Sequence, residues 1–293
     1  MKTYAEIGSK TRLVTDGSLQ YIEFECFDKY RDRLIHCMST RKGGVSTGEG
    51  STLNLGFGRN DSRENVVNNF KIICRSLGVD DGSLVLSNQV HENKVKIVDE
   101  KDTGKGYCAE SDIIGYDGLM TAAPGVTLVT FYADCVPVFL YDGDKNVAAS
   151  VHSGWRSTLK GIAAEAVLKM RESFSCNPAS IVAAVGPSIC KCCFEVHEDV
   201  YRMFAAKYED PRFYEYIGSG KWKIDLQGII ERTLMLLGVP QENITLCGIC
   251  TKCRRDLFFS HRGDCGKTGS LAAFMHIRND EIIKPDFESF LKE

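Results

Sequence analysis

Five stretches of the chain, 126–132, 136–141, 147–151, 181–185 and 271–277, are apolar almost without interruption. Each is five to seven residues long, the length of a strand rather than of a helix or a bilayer span. None shows the strict alternation of a strand with one wet face, so these strands must be covered on both sides. Shorter strands are expected at 34–38, 84–87 and 95–98. Between them lie helical stripes. Val66, Phe70, Ile73, Cys74 and Leu77 recur at helical spacing, with Asp61 and Glu64 resembling a capping box and Gly78 suited to the terminating position. Leu159, Ile162, Ala163, Ala166, Val167 and Met170 read as one continuous helix beginning at Arg156. A third helix begins at Asp225 and ends at Gly238. Strands and helices mix without strict βαβ alternation, which predicts an α+β fold with layered mixed sheets. No linker or repeat interrupts the pattern, so a single domain over residues 1–293 is expected.

Several function classes fall away on composition. Lys and Arg number 36 against 39 Asp and Glu, a net charge of −3, whereas a dedicated nucleic-acid binder carries a basic face. No apolar run reaches the length of a membrane span, so no membrane partner is expected. The first twenty residues lack the apolar core of a signal peptide, which predicts a cytoplasmic chain with reduced thiols. Thirteen cysteines then read as metal ligands, nucleophiles or buried thiols rather than as a disulfide framework.

Three residues stand at strand ends. His91 closes LSNQVH, His152 closes AASVH, and Cys135 lies in FYADCVP beside Asp134. Side chains at such turns converge on pockets. Two imidazoles and a thiolate suit zinc and leave a fourth position for water or substrate. Their separations match no local zinc motif, and the same atoms would equally serve a Cys135–His152 nucleophilic dyad oriented by Asp134 or His91. Both uses remain open at this point. A helix starting at Arg156 would offer unpaired N–H groups to a phosphate. Arg156, Arg41 in STRKGG and Arg262 in SHRGD are candidate phosphate-binding cations, against the plainer reading of solvated loop charges. Cys247, Cys250 and Cys253 form a CxxCxxC run with Cys265 as a candidate fourth member, but a ferredoxin-type run would have cysteine where Leu257 stands. Cys190, Cys192 and Cys193 are too close in sequence for all three to bind one metal easily, and buried inert thiols are the favoured reading.

Taken in order, STRKGGVS, NQVHENKV, ADCVPVFL, VHSGWRSTLKGI, AVGPSICKCCFEV and DLFFSHRGDCGKTG resemble the YfiH-type family. That family is also called the multicopper polyphenol oxidase or laccase-domain family and is described as purine nucleoside phosphorylases. The resemblance runs from about Leu34 to Ile277. It implies a four-layer α/β/β/α sandwich and zinc on His91, Cys135 and His152, with copper as the other metal to consider. It implies purine nucleosides and phosphate as partners, with phosphorolysis of adenosine, inosine, guanosine and methylthioadenosine, and adenosine deamination as a second activity. Asp134 is the nearest candidate for proton handling or for support of the metal donors. A monomer or small homo-oligomer is expected. The family's link to peptidoglycan editing keeps a cysteine hydrolase or amidase, with Cys135 as nucleophile, as a rival. A copper-dependent polyphenol oxidase is the other, although six histidines are few for a multicopper centre. Two departures stand out: Ser157 where the family usually has glycine, and Ser270 where it usually has arginine.

Overall fold

In the computed structural model, which describes residues 2–279, each long strand sends alternate side chains to two different partners. The chain runs through β1 (Thr3–Gly8), β2 (Thr11–Asp16), β3 (Leu19–Phe24), β4 (Leu34–Ser39), α1 (Arg63–Leu77), β5 (Leu84–Leu86), β6 (Val95–Ile97), β7 (Gly118–Thr121), β8 (Thr127–Tyr132), β9 (Val136–Asp142) and β10 (Val147–Ser153). It continues through α2 (Trp155–Lys160), α3 (Ile162–Phe174), β11 (Ile181–Val185), β12 (Glu195–His197), α4 (Glu198–Ala205), β13 (Tyr214–Gly218), β14 (Lys221–Ile224), α5 (Leu226–Leu236), β15 (Ile244–Leu246) and β16 (Leu271–Ile277).

Seven strands form one sheet in the order β1-β2-β3-β4-β16-β8-β5, and six form another in the order β15-β11-β9-β10-β7-β6. Both are antiparallel inside and parallel at an edge, where β5 pairs with β8, β6 with β7 and β15 with β11. A small antiparallel sheet, β12-β14-β13, stands apart. In it Trp222 stacks on Tyr201 of α4 with ring centroids 3.5 Å apart.

The apolar side chains sort into three clusters. Met38, Leu128 and Met275 of the seven-stranded sheet meet Phe139, Tyr141 and Ala184 of the six-stranded sheet. The alternate residues Cys37, Val129 and Phe274 pack instead against Val66, Phe70 and Ile73 of α1. Val138, Leu140 and Ala183 pack against Ala166, Val167 and Met170 of α3 and Ile229 and Ile230 of α5. Each central strand is thus buried on both faces, which is why its sequence is apolar throughout. Truncating Phe139 to alanine at the shared centre would cost about 3–5 kcal/mol.

Eight expected strands are present within a residue or two of their expected limits, in an α+β fold of mixed sheets. Two helix expectations need correction. Ser62, not Asp61, caps α1, accepting from the Asn65 N–H, while Asp61 braces the turn through Ser62 and Asn65. The continuous helix expected from Arg156 is broken at Gly161, whose φ of 85° closes α2 and starts α3 on a new axis. The apolar stripe runs through that break because both helices pack on the same sheet.

Candidate functional site

The β9–β10 hairpin sets the site. His152 lies opposite Pro137 and Ser153 opposite Val136, so the register brings Gly154 across from Cys135. No side chain fits at Gly154: a Cβ there would stand 2.5 Å from His91 Nδ1 and 3.1 Å from Cys135 Sγ. His91 arrives on the loop after β5 with φ at 60°, a left-handed conformation that costs about 1–3 kcal/mol unless its surroundings hold it.

Asp117, buried at the start of β7, supplies that hold. Its carboxylate accepts the N–H groups of Val90, His91 and Glu92 at 3.0, 2.9 and 2.8 Å. Its Oδ1 also lies 2.8 Å from His152 Nδ1, and its carbonyl accepts the His152 N–H at 2.7 Å. One residue therefore orients both imidazoles. Burial would raise the Asp117 carboxyl, but the His152 imidazole and the N–H groups of Glu92 and Val90 outweigh it and hold the group below the usual range. Burial would likewise push His152 down, yet its interactions with Cys135 and the Asp117 carboxylate push it up to about 9. His91 goes the other way, lowered by burial and by the charge of His152.

Donor atoms of His91, Cys135 and His152 all lie within 4.8 Å of one another. Asp117 occupies Nδ1 of His152, which leaves Nε2 as that ring's donor. The buried Nδ1 of His91 has no hydrogen-bond partner among the described residues. An orphaned buried nitrogen calls for a ligand. Two imidazoles and a thiolate, one imidazole backed by a carboxylate, fit a metal ion.

The three donors line a cavity of about 810 Å³, within the range of small-molecule sites. Phe57, Phe131, Trp155 and Phe194 give it apolar walls, and Arg59, Arg156 and Arg262 bring positive charge. Among the described residues none of these three guanidinium groups has a carboxylate partner within salt-bridge distance, unlike Arg12 on Asp28 or Arg254 on Asp256. Arg156 lies over the Trp155 ring at 4.2 Å. Arg262 lies over Phe194 and donates to the Glu195 carbonyl at 3.0 Å. Arg59 Nε donates to Ser270 Oγ at 2.9 Å.

Other expected residues sit differently. Arg41 does not line the cavity: its guanidinium donates to the carbonyls of Ser51 and Arg255 and rests on the Phe259 ring. Asp134 does line it, but its two oxygens already accept from Thr251 Oγ1 and the Arg262 N–H, both at 2.7 Å. It is Asp117, rather than Asp134, that hydrogen-bonds to His152 and to the backbone of His91. Ser157 is buried outside the cavity lining, its hydroxyl donating to the Gly154 and His152 carbonyls. Because α2 spans only six residues, it sums little dipole, and the guanidinium of Arg156 is what this turn offers to an anion. Sequence reasoning missed Asp117 and Arg59. A lone acid opening the apolar stretch DGLM and a cation in the glycine-bounded FGRN were the available signals.

Residues 35–278 match the family model described as multi-copper polyphenol oxidoreductase laccase. The chain is 32% identical over 268 residues to the purine nucleoside phosphorylase YlmD of Bacillus subtilis (strain 168), which covers 91% of this chain and 96% of that protein. It is 34% identical over 194 residues to the adenosine deaminase RL5 of an unknown prokaryotic organism, covering 65% of this chain and 73% of that one. The crystal structure of YlmD from Geobacillus stearothermophilus matches with a TM-score of 0.85 at 30% identity, over 90% of this chain and 98% of that chain.

Proposed function

The chain belongs to the multi-copper polyphenol oxidoreductase laccase family, and from that premise we propose that it is a zinc-dependent purine nucleoside phosphorylase with adenosine deamination as a second activity. Its substrates on this reading are adenosine, inosine, guanosine, methylthioadenosine and phosphate. One observation carries the proposal: a His₂Cys donor trio shares a single cavity with three guanidinium groups that have no carboxylate partner. The oxidase in the family's description would need a larger imidazole set. Among the described residues, the trio is the only candidate metal-binding group that contains histidine.

Zinc held by His91, Cys135 and His152 would supply Lewis acidity to the substrate. The chain's own residues do the rest. Arg59, Arg156 and Arg262 bind and orient phosphate for attack at C1′ of the nucleoside. The C1′–N9 bond breaks with its electron pair going to the purine, which takes a proton from solvent, leaving ribose 1-phosphate and the free base. Phe57, Phe131 and Phe194 offer apolar surface to the purine. Asp117 fixes the tautomer and direction of His152, and Asp134 positions the Arg262 loop. Where the family usually has an arginine at position 270, this chain has a serine bonded to Arg59, so Arg59 takes over the cationic role.

A second reading has its own support. Cys135, His152 and Asp117 stand in the relation of nucleophile, base and orienting acid, which suits a cysteine hydrolase or amidase. Incubation with inosine and phosphate, beside metal analysis of the same sample, separates the two. Hypoxanthine and ribose 1-phosphate, lost together with zinc in Cys135→Ala, are the expected result. Full phosphorolysis by metal-free protein would sink the zinc dependence. An acyl-enzyme trapped on Cys135, with no phosphorolysis, would establish the hydrolase.

A further inference from the structure

Cysteines that the sequence presents in two separate runs meet in space. Cys192 and Cys193 lie in the turn after β11, and Cys250 and Cys253 in the turn after β15. Parallel pairing of β11 with β15 carries both loops off the same end of the sheet, and a bridge between Ser188 and Cys250 extends the contact. The four sulfurs lie within 4.8 Å of one another. Cys192 is 3.7 Å from Cys193 and 3.9 Å from Cys253, and Cys193 is 3.5 Å from Cys253. Tetrahedral coordination with Zn–S bonds of about 2.3 Å sets sulfurs about 3.8 Å apart, the edge these distances bracket. A disulfide needs about 2.05 Å, and all four thiols are free. An iron–sulfur cluster spreads its thiolates over several irons and so needs them farther apart.

We propose that Cys192, Cys193, Cys250 and Cys253 hold one structural zinc ion as a tetrathiolate site, separate from the cavity donors. The CxxCxxC run is therefore split in use. Cys247 is buried between the two large sheets, and Cys265 lies outside the group. The Cys190 N–H points at Cys250 Sγ at 3.5 Å, a donor placed to support a thiolate there. Four thiolates around a divalent cation leave a net negative charge, and Lys191, Lys252 and Arg254 directly adjoin the ligands in sequence. Such closed thiolate sites serve structure rather than catalysis.

The position gives the ion a purpose. Ile189 and Phe194, flanking the first pair, line the cavity. Thr251, between the second pair, donates to Asp134, whose other oxygen holds the Arg262 backbone. The zinc staples these two loops to each other and thereby fixes the wall carrying Phe194 and Arg262.

The test uses full-length Cys135→Ala protein, in which the cavity trio is broken, reconstituted with cobalt(II) under reducing conditions. About one equivalent should bind tetrahedrally, with strong thiolate-to-cobalt charge-transfer bands. Adding Cys253→Ser should remove that equivalent. Native protein gives a check that does not depend on any variant folding: a mercurial thiol reagent should release one zinc equivalent beyond the one held by the cavity trio, in step with modification of four thiols. No cobalt bound by Cys135→Ala, bands unchanged by Cys253→Ser, or four freely reactive thiols releasing no zinc would each overturn the proposal. So would a Cys193–Cys253 disulfide in freshly isolated protein. None of these readouts depends on turnover, so they stand whether or not the cavity performs phosphorolysis.

Discussion

His36 in the middle of β4 and His152 at the end of β10 are both buried, yet they sit in opposite electrostatic settings. His36 lies among Phe24 and Phe27, accepts the Phe24 N–H at 2.8 Å, and is pushed down to about 3 by burial. His152 overcomes the same penalty and is pushed up to about 9, because Cys135 and Asp117 lie against it. Depth alone therefore does not set the direction in which a buried imidazole is shifted; the groups packed beside it do. The seven-stranded sheet uses its imidazole as a neutral acceptor within the core. The end of the six-stranded sheet concentrates charge where a cavity opens, the pattern expected of a functional site rather than of a stabilising one.

The contrast breaks most completely at Cys135. Cys135→Ala removes a donor and a neighbour that raises His152, and inosine phosphorolysis should fall by more than about 100-fold, beyond what loss of an outer partner costs. Unchanged far-ultraviolet dichroism would show that the fold survives; unchanged turnover would refute the assignment of the trio. Asp117→Asn keeps the shape but not the charge. Zinc should bind about 10–100-fold more weakly, as read by competition with a chelator, and an unaltered affinity would confine Asp117 to bracing the backbone. Arg59→Ala and Arg156→Ala test the cationic wall that β4 lacks. Each should raise KM for phosphate about 10-fold, the worth of one charge-assisted hydrogen bond of about 1.5 kcal/mol, while KM for the nucleoside stays nearly constant. Equal rises in both constants would mean that these arginines shape the cavity rather than hold the anion.

The smallest effect sharpens the other side. Burial lowers His36 to about 3, and burial with the nearby Arg278 lowers His276 to about 4. As pH falls below about 6.5, the unfolded chain takes up protons that the folded sheet refuses, so stability is lost on acidification. Between pH 6.5 and 5.5 each histidine should cost about 1 kcal/mol, read from urea midpoints. His36→Gln, which keeps an acceptor but does not titrate, should make that decline shallower; an identical slope would show that His36 is not its source.

Legibility in the sequence followed the physics of each feature. Strands buried on both faces announce themselves, because nearly every residue must be apolar. The β1–β3 meander did not, since β1 is largely exposed and carries little apolar pattern. The break at Gly161 hid beneath a stripe that both flanking helices share. His91, Cys135 and His152 were readable as residues at strand ends. Asp117 was not, because it acts on the N–H groups of its neighbours, which leave no trace in residue type. Arg41 and Arg59 look alike as loop cations near glycine. Only the packed structure shows one spent on carbonyls and the other lining the cavity. The two cysteine pairs needed the β11–β15 pairing, a contact between distant segments that no local spacing encodes.

The chain contains two tryptophans, and they are placed very differently. Trp222 is locked face to face on Tyr201, while Trp155 stands in the cavity wall beneath Arg156. Occupancy of the cavity is therefore written into the protein's own fluorescence. With Trp222 replaced by phenylalanine, a single tryptophan remains to be excited apart from the tyrosines, and its intensity follows whatever enters beside it, so binding becomes visible without a label or a turnover.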